Sequence, residues 1–505
     1  MRFLGDVARV NASRYGSATA LLFEDRTLSF RELNACADGI GRRLLDMGLR
    51  AGDRVALLAE NGLEFYPIYF GIMKIGAVMV PLNFRCTVIE LEQMLRDSMP
   101  SVLFHTPTFA TQALALRRLM GNVLTLVEIN PGLLDVRAPT LDALPPDFDE
   151  RATATILYTS GTTGKPKGAM LPHRALLEGA IATALATRIR RTDRVLLTVP
   201  LFHGGGLFVV SHPHLYMGAS VVLTARFEPD TVFDLIDRTA ATTFFGVPSQ
   251  YSMLLDRCAQ KGAPASLRNA WYGGAPMPVE LARRAQALWP DIQFQQSYGQ
   301  TETTLISVLL PEDHDRKLSS AGRELPHLEI RVVDEQGLDC PVGVVGEVVV
   351  DANAGMSGYF NNPAQTAETI RNGWIHTGDL GFIDEDRFLT LVDRKKDMIV
   401  SGGENVYPKE IEEVVYLCEG IIEVAVIGMI DPKWGEVPVG FVVKSAASGL
   451  TGADIQSWCE ERLARYKVPR HWHFVEELPK TANGKIRKPA LRELVLTQNG
   501  LAPTR

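Results

Sequence analysis

Ala154-Thr155-Ile156-Leu157-Tyr158 reads as a short buried strand, and it runs directly into Thr159-Ser160-Gly161-Thr162-Thr163-Gly164-Lys165-Pro166-Lys167-Gly168. The glycines allow sharp turns and bring backbone N–H groups close to a ligand. Four hydroxyls can donate to anionic oxygens, and Lys165 and Lys167 add positive charge. A strand ending in a glycine-, hydroxyl- and lysine-rich loop is suited to gripping phosphate. The competing reading is a solvated Gly/Thr linker. The Walker A pattern is excluded, because only two residues separate Gly161 from Gly164 and Pro166 follows Lys165.

Around this loop the chain alternates helix and strand patterns. Ser29-Phe30-Arg31-Glu32 is a capping box, Leu33, Ala37, Ile40 and Leu44 follow at helical spacing, and Gly48 ends the helix. Strands are expected at 55–58, 77–80, 195–199, 220–223 and 242–247, with helices at 65–75 and around 232–236. This repetition predicts α/β layers with largely parallel strands. The Pro- and Asp-rich residues 130–150 are expected to loop over the surface. Composition shifts near 380–400. Beyond the charged Asp393-Arg394-Lys395-Lys396-Asp397, a compact α+β unit is predicted, with a helix from Pro408, strands at 424–429 and 439–443, and an amphipathic helix at 453–465.

A chain of 505 residues is long enough for two or three domains, and the net charge of −7 leaves no global basic surface for nucleic acid. The six cysteines, at 36, 86, 258, 340, 418 and 459, form no CxxC motif, which suits a reducing compartment. Met1-Arg2-Phe3-Leu4-Gly5-Asp6 is not a secretory signal, no apolar run is long enough to span a membrane, and Ala502-Pro503-Thr504-Arg505 is not a peroxisomal address. A cytoplasmic protein without stable membrane insertion is expected.

All eleven positions of Tyr158-Thr159-Ser160-Gly161-Thr162-Thr163-Gly164-Lys165-Pro166-Lys167-Gly168 resemble the signature loop of the adenylate-forming superfamily, which includes acyl-CoA synthetases, luciferases and peptide-synthetase adenylation domains. Five further segments resemble its motifs in the same order. Trp271-Tyr272-Gly273-Gly274-Ala275-Pro276 resembles the segment along the adenine, and Ser297-Tyr298-Gly299-Gln300-Thr301-Glu302 the segment that places Tyr298 on adenine, Thr301 near the α-phosphate and Glu302 on Mg²⁺. Thr377-Gly378-Asp379 with Arg394 resembles the ribose clamp. Ser401-Gly402-Gly403-Glu404-Asn405 resembles the loop that meets pantetheine in the thioester-forming state, and Pro479-Lys480-Thr481-Ala482-Asn483-Gly484-Lys485 the motif with the adenylation lysine.

The resemblance implies an α/β enzyme with a large N-terminal adenylation domain of layered α/β subdomains, 1–394, and a small mobile α+β domain, 395–505, turning on a hinge at Lys396. It implies ATP, Mg²⁺ and coenzyme A as substrates and metal, with no tightly bound organic cofactor. Thr159 and Glu302 would serve the metal, and Lys485, Glu302, Thr301 and His203 the chemistry. Nucleotide contacts would come from Thr159, Ser160, Gly161, Thr162, Thr163, Gly164, Lys165, Lys167, Gly273, Gly274, Ala275, Ser297, Tyr298, Gly299, Asp379 and Arg394, and thioester-state contacts from Gly402, Gly403 and Glu404. A monomer or homodimer is expected.

Pro200-Leu201-Phe202-His203-Gly204-Gly205-Gly206-Leu207 resembles the wall of the acyl pocket. His203 replaces the Asp with which peptide-synthetase domains pair an amino group, so an amino acid substrate is disfavoured and free CoA is the expected thiol. Phe202, Gly204, Gly205, Gly206, Val247, Tyr251 and Leu305 would line an apolar, fairly open pocket. No Arg or Lys falls there to pair a second carboxylate. The expected substrate is a monocarboxylate, either a medium- or long-chain fatty acid or an aryl-alkyl acid, with hydroxycinnamate as an alternative. A ligase loading a carrier protein, a luciferase-type oxygenase and a non-enzymatic nucleotide-binding scaffold are the other readings.

Overall fold

The computed structural model describes residues 1–135, 138–141, 144, 147–160, 166–261, 263–431, 433–445, 448–480 and 486–498. Among these residues the chain forms four sheets, of nine, seven, five and five strands. The two largest have parallel centres. In the nine-stranded sheet, Thr19–Phe23, Ser220–Leu223, Arg194–Leu197, Thr243–Gly246, Asn269–Gly273 and Gln293–Gln300 run parallel in that spatial order. In the seven-stranded sheet, Thr125–Glu128, Val102–His105, Arg54–Leu58, Val78–Pro81 and Thr153–Ser160 do the same. Strands covered on both faces need no polar alternation, which is why 78–81, 102–105, 220–223 and 243–246 are buried at every position.

The helix Phe30–Asp46 starts where its sequence dictates, with the Ser29 side chain accepting from Glu32 N–H and the Glu32 carboxylate taking the N-cap backbone. Its apolar stripe packs on Phe65–Lys74, a helix buried at all ten positions. The one cation in that helix, Lys74, is paired with Asp38 and donates to Asn34 Oδ1 at 2.7 Å. Burial lowers the Lys74 pKa, and Asp38 opposes that shift.

A third sheet is antiparallel throughout. It contains Ile330–Val333, Gly346–Asp351, Trp374–Ile383 and Leu389–Arg394, and its last strand leads to the C-terminal unit. There a five-stranded sheet packs against the helices Pro408–Tyr416, Gly452–Glu460 and Lys488–Gln498 over cores of its own. Lys409 joins the two units, its N–H to Asp393 Oδ2 at 3.0 Å and its Nζ to Leu391 O at 2.7 Å.

Two expectations change. The helix expected over 453–465 ends at Glu460, and Arg465–Lys467 forms a separate short turn. Residues 130–150 are not purely a surface loop, because Leu133 and Leu141 are buried and the Phe148 ring packs edge-on against Phe3 and His173. Among the described residues no helix is long and apolar enough to cross a membrane.

Candidate nucleotide and acyl site

Open α/β sheets bind ligands outside the carboxyl ends of their parallel strands. Four parallel strands of the nine-stranded sheet end at Leu197, Gly246, Gly273 and Gln300. They lead directly into Pro200-Leu201-Phe202-His203, Val247, Gly274-Ala275 and Thr301-Glu302. In the neighbouring sheet, Thr153–Ser160 carries Thr159 at the same kind of end, and Thr159 pairs with Lys167 on the returning strand. Topology alone therefore gathers four of the sequence motifs, and Val247, at strand ends.

Contacts between side chains join them. Lys167 Nζ donates to Gln365 Oε1 at 2.6 Å and lies 5.6 Å from the Tyr359 ring centroid. The Tyr359 hydroxyl donates to Glu302 Oε1 at 2.7 Å. Met356 N–H holds the Glu302 carbonyl at 2.7 Å, which fixes the turn from both sides. That turn begins at a bulge where a Cβ on Gly299 would meet Thr304 O at 1.9 Å, so no larger residue fits. Arg394, whose charged form Asp379 favours, also feels the Tyr298 and Glu302 groups.

Asp379 is the centre of the clamp. Its Oδ2 accepts the Tyr298 hydroxyl at 2.6 Å and its Oδ1 the Arg394 Nε at 2.8 Å. Asp379 and Arg394 face each other across two antiparallel strands. Thr377 Oγ1 accepts from Asp379 N–H at 3.1 Å and donates to Val348 O at 2.7 Å, so the turn is locked to the sheet beneath. Burial first, then the Asp379 carboxylate, pushes the Tyr298 hydroxyl far above its usual pKa and keeps it a donor. A half-exposed guanidinium beside a buried carboxylate offers both an acceptor and donors to vicinal hydroxyls.

Two residues of this site escape sequence reading. Tyr359 is one. Glu347 is the other: its carboxylate lies 3.3 Å from Gly378 N, Lys395 Nζ and His376 Nδ1. It ties the clamp turn to the residue preceding the proposed hinge at Lys396. The available signal was a carboxylate placed directly before the apolar run Val348-Val349-Val350 of the strand Gly346–Asp351.

The remaining site residues divide. Gly273 and Ser297 lie together, since the two are paired and a Cβ on Gly273 would meet Ser297 O at 2.6 Å. Gly274 faces Val247, whose Cγ1 is 3.6 Å from a Cβ placed on it. Tyr158 donates to Asp97 Oδ2 at 2.6 Å. Gly402, Gly403 and Glu404 form a hairpin turn in the C-terminal unit, with Gly402 N–H on Trp434 O at 2.7 Å. Residues 161–165 and Lys485 lie outside the described residues, and nothing is described of the Ser160 side chain. The segments flanking Lys485 are paired, Lys480 with Ile486.

In the acyl segment, Gly205–Ser211 is a π-helix, a form often found at functional sites. His203 Nδ1 accepts Gly205 N–H at 3.0 Å. Gly205 and Gly206 have near neighbours rather than open space beside them. A Cβ on Gly206 would strike Pro200 O at 2.7 Å, and one on Gly205 would meet the His203 ring at 3.1 Å. Phe202 packs edge-on to Phe84, with centroids 5.1 Å apart, and Leu305 is paired with Gly299. Tyr251 is not brought to this segment: it is fully buried in a second core with Trp289 and Phe244, and its hydroxyl donates to Trp271 O at 2.9 Å.

The donor set fits magnesium. Among the described residues no cluster of three His, Cys, Asp or Glu could cage a metal. Magnesium instead takes one or two hard oxygens from protein and the rest from phosphate and water. Glu302 has one oxygen on Tyr359 and the other without a hydrogen bond among the described residues, and Thr159 adds a hydroxyl at a strand end.

Comparison with known proteins agrees with this geometry. The AMP-binding enzyme family matches residues 8–360, and the AMP-binding enzyme C-terminal domain matches residues 410–485. A feruloyl-CoA synthase of Amycolatopsis sp is 38% identical over 477 residues, covering 94% of this chain and 95% of that protein. An indoleacetate–CoA ligase of Aromatoleum aromaticum is 38% identical over 496 residues, covering 96% and 97%. The structure of o-succinylbenzoate CoA synthetase from Bacillus subtilis, in complex with its acyl-adenylate intermediate, superposes with a TM-score of 0.86 at 32% identity, covering 96% and 97%. The chain is therefore a member of the AMP-binding enzyme family, among the adenylate-forming acyl-CoA ligases that use ATP, Mg²⁺ and CoA.

Proposed function

We propose that this enzyme converts an aromatic or aryl-alkyl monocarboxylic acid to its CoA thioester through an acyl adenylate. The observation that carries the nucleotide half is the contact path Lys167–Tyr359–Glu302, ending beside the Tyr298–Asp379–Arg394 clamp. It joins Lys167 to the carboxylate we assign to the metal, beside the carboxylate we assign to the ribose hydroxyls.

A substrate carboxylate oxygen attacks the α-phosphorus of ATP, and the bond to the β-phosphate bridging oxygen breaks to release pyrophosphate. Asp379 accepts from the ribose hydroxyls, Arg394 holds Asp379 in place, and Tyr298 lies along the adenine. Lys485 bridges the carboxylate and α-phosphate, and removing one such contact commonly costs about 2.7–4 kcal/mol. Magnesium, when bound at Glu302 and Thr159, supplies charge compensation to the phosphates. The CoA thiolate then attacks the acyl carbonyl, and AMP leaves with the electron pair of the broken C–O bond. Rotation about Lys396 brings Gly402, Gly403 and Glu404 to the site for this second step.

The aromatic class rests on two supports. The relatives compared above are named for feruloyl, indoleacetyl and succinylbenzoyl groups. Gly206 packs against the Pro200 carbonyl and Gly205 against the His203 ring, which weakens the argument for a long open cavity. A medium- or long-chain fatty acid is thus the less supported half of the initial expectation.

The test is pyrophosphate release with Mg-ATP over acetate, octanoate, palmitate, benzoate, phenylacetate, cinnamate, ferulate and malonate, with and without CoA. CoA-dependent turnover highest on an aromatic acid is expected. Turnover highest on palmitate would overturn the substrate class, and silence across the panel would overturn the ligase reading.

A further inference from the structure

The ribose clamp stands on a break in the sheet. Glu347 of Gly346–Asp351 pairs with Leu380 of Trp374–Ile383, and Val349 pairs with His376. Val348 alone thus faces Thr377, Gly378 and Asp379, and the second strand bulges there. A bulge takes backbone groups off the ladder, and other partners have to satisfy them. Thr377 Oγ1 accepts from Asp379 N–H at 3.1 Å. Gly378 N–H donates to Glu347 Oε1 at 3.3 Å. Gly378 has a φ of +71°, and a Cβ there would meet nothing within 4 Å among the described residues. Its place is therefore set by hydrogen bonds and not by packing.

Those hydrogen bonds close a ring. Gly378 O accepts from Lys395 N–H at 2.9 Å, and Lys395 Nζ reaches back to Glu347 Oε2 at 3.3 Å. One carboxylate thus holds the Gly378 N–H directly and the Gly378 carbonyl through Lys395. Glu347 is 8% exposed. Burial opposes its charge, but His376 and Lys395 outweigh burial and hold its carboxyl below the usual range. The ring borders the Asp379–Arg394 pair, because Gly378 precedes Asp379 and Lys395 follows Arg394. A displaced Gly378 peptide would swing the Asp379 carboxylate with it.

We infer that Glu347 is a positioning residue for nucleotide selection: it holds the Gly378 peptide, directly and through Lys395, and so aims Asp379 at the ribose hydroxyls. This rests on the assignment of Asp379 to the ribose made above and extends it to a residue that does not itself touch the nucleotide. An aimed acceptor discriminates, because a sugar without hydroxyls leaves the buried carboxylate without the donors it faces. A loosened acceptor loses contact with the hydroxyls and discriminates less. The competing role for Glu347 is structural, in which it only satisfies the bulge and supports the fold.

The test compares kcat/KM for acid-dependent pyrophosphate release with ATP and with 2′,3′-dideoxy-ATP. The wild-type enzyme is expected to favour ATP by about tenfold or more. Glu347→Ala removes both contacts and should cut that preference by roughly 3–10-fold, almost all of it through slower turnover of ATP. Lys395→Met opens the ring and leaves the Gly378 contact, so it should cut the preference in the same direction by less. The double variant should be no worse than Glu347→Ala, since Lys395 acts through Glu347. Equal losses on both nucleotides, or a lower Tm with the preference unchanged, would overturn the inference and leave Glu347 a structural residue. The Lys395 side chain is half-exposed, so Lys395→Met keeps the test decisive if Glu347→Ala fails to fold. A wild type that does not distinguish the two nucleotides would instead overturn the ribose assignment of Asp379, and the inference with it.

Discussion

The Tyr359 hydroxyl donates to Glu302 Oε1 at 2.7 Å, across 57 residues of sequence. Tyr359 belongs to a short strand paired with the returning strand of the phosphate loop, through Ala169. Glu302 stands on a hairpin of the other large sheet. This hydrogen bond therefore ties the strand beside Pro166–Pro172 to the carboxylate proposed to serve the metal.

Tyr359→Phe should leave the fold intact and loosen Glu302. Hydrogen bonds to charged groups contribute about 1.5–3 kcal/mol, so the Mg²⁺ concentration giving half-maximal pyrophosphate release should rise roughly tenfold. Direct Mg-ATP binding by calorimetry should weaken in parallel. An unchanged Mg²⁺ dependence would show that Tyr359 is only a packing residue.

Asp379→Ala should remove the partner of both Tyr298 and Arg394. We expect a KM for ATP at least tenfold higher, from loss of about 1.5–3 kcal/mol of charge-assisted hydrogen bonding, and a small loss of thermal stability. The KM for the acid should change much less, since the clamp is assigned to the nucleotide. Steady-state kinetics varying each substrate in turn decides this.

Lys485→Ala should abolish adenylate formation and leave thioesterification of preformed acyl-AMP largely intact. Both half-reactions can be followed by chromatography of AMP and acyl-CoA. Loss of both in a folded variant would remove Lys485 from its assigned role.

Three histidines in the core predict an acid-sensitive fold. Burial lowers His173 and His214 to about 4 and His212 to about 3. The unfolded chain, with histidine near 6.5, binds protons before the folded one does. Stability is therefore fully present above about pH 6.5 and falls as pH drops towards 4, by on the order of 1–3 kcal/mol for each buried imidazole. His173, whose two ring nitrogens have no partner among the described residues, is the cleanest to test. His173→Phe should flatten Tm against pH over that window, and an unchanged slope would contradict the assignment.

Local signals placed most of the fold. The Ser29–Glu32 capping box and the apolar runs at 55–58 and 220–223 carry their own geometry, so their elements were readable from a few adjacent residues. The phosphate-loop and Gly273-Gly274 motifs could be placed at strand ends because each is itself a strand followed by a turn. What was not legible is non-local. Tyr359 and Glu347 matter through partners far away in sequence, and neither has a distinctive neighbourhood. Gly206 read as empty space because its contact, Pro200 O, is set by a π-helix that periodicity does not announce. Tyr251 sits close in sequence to Val247 yet on the far side of the sheet, a question of which face a helix turns inward.

The most direct test of the central claim is a single-turnover experiment with enzyme in excess of ATP and a saturating aromatic acid such as ferulate, first without CoA and then with CoA added. The account predicts an acid-dependent burst of pyrophosphate, an enzyme-bound feruloyl-AMP detectable by mass spectrometry, and its conversion to feruloyl-CoA with release of AMP when the thiol arrives. Formation of feruloyl-CoA with no adenylate preceding it, or adenylate formation only with aliphatic acids, would contradict it.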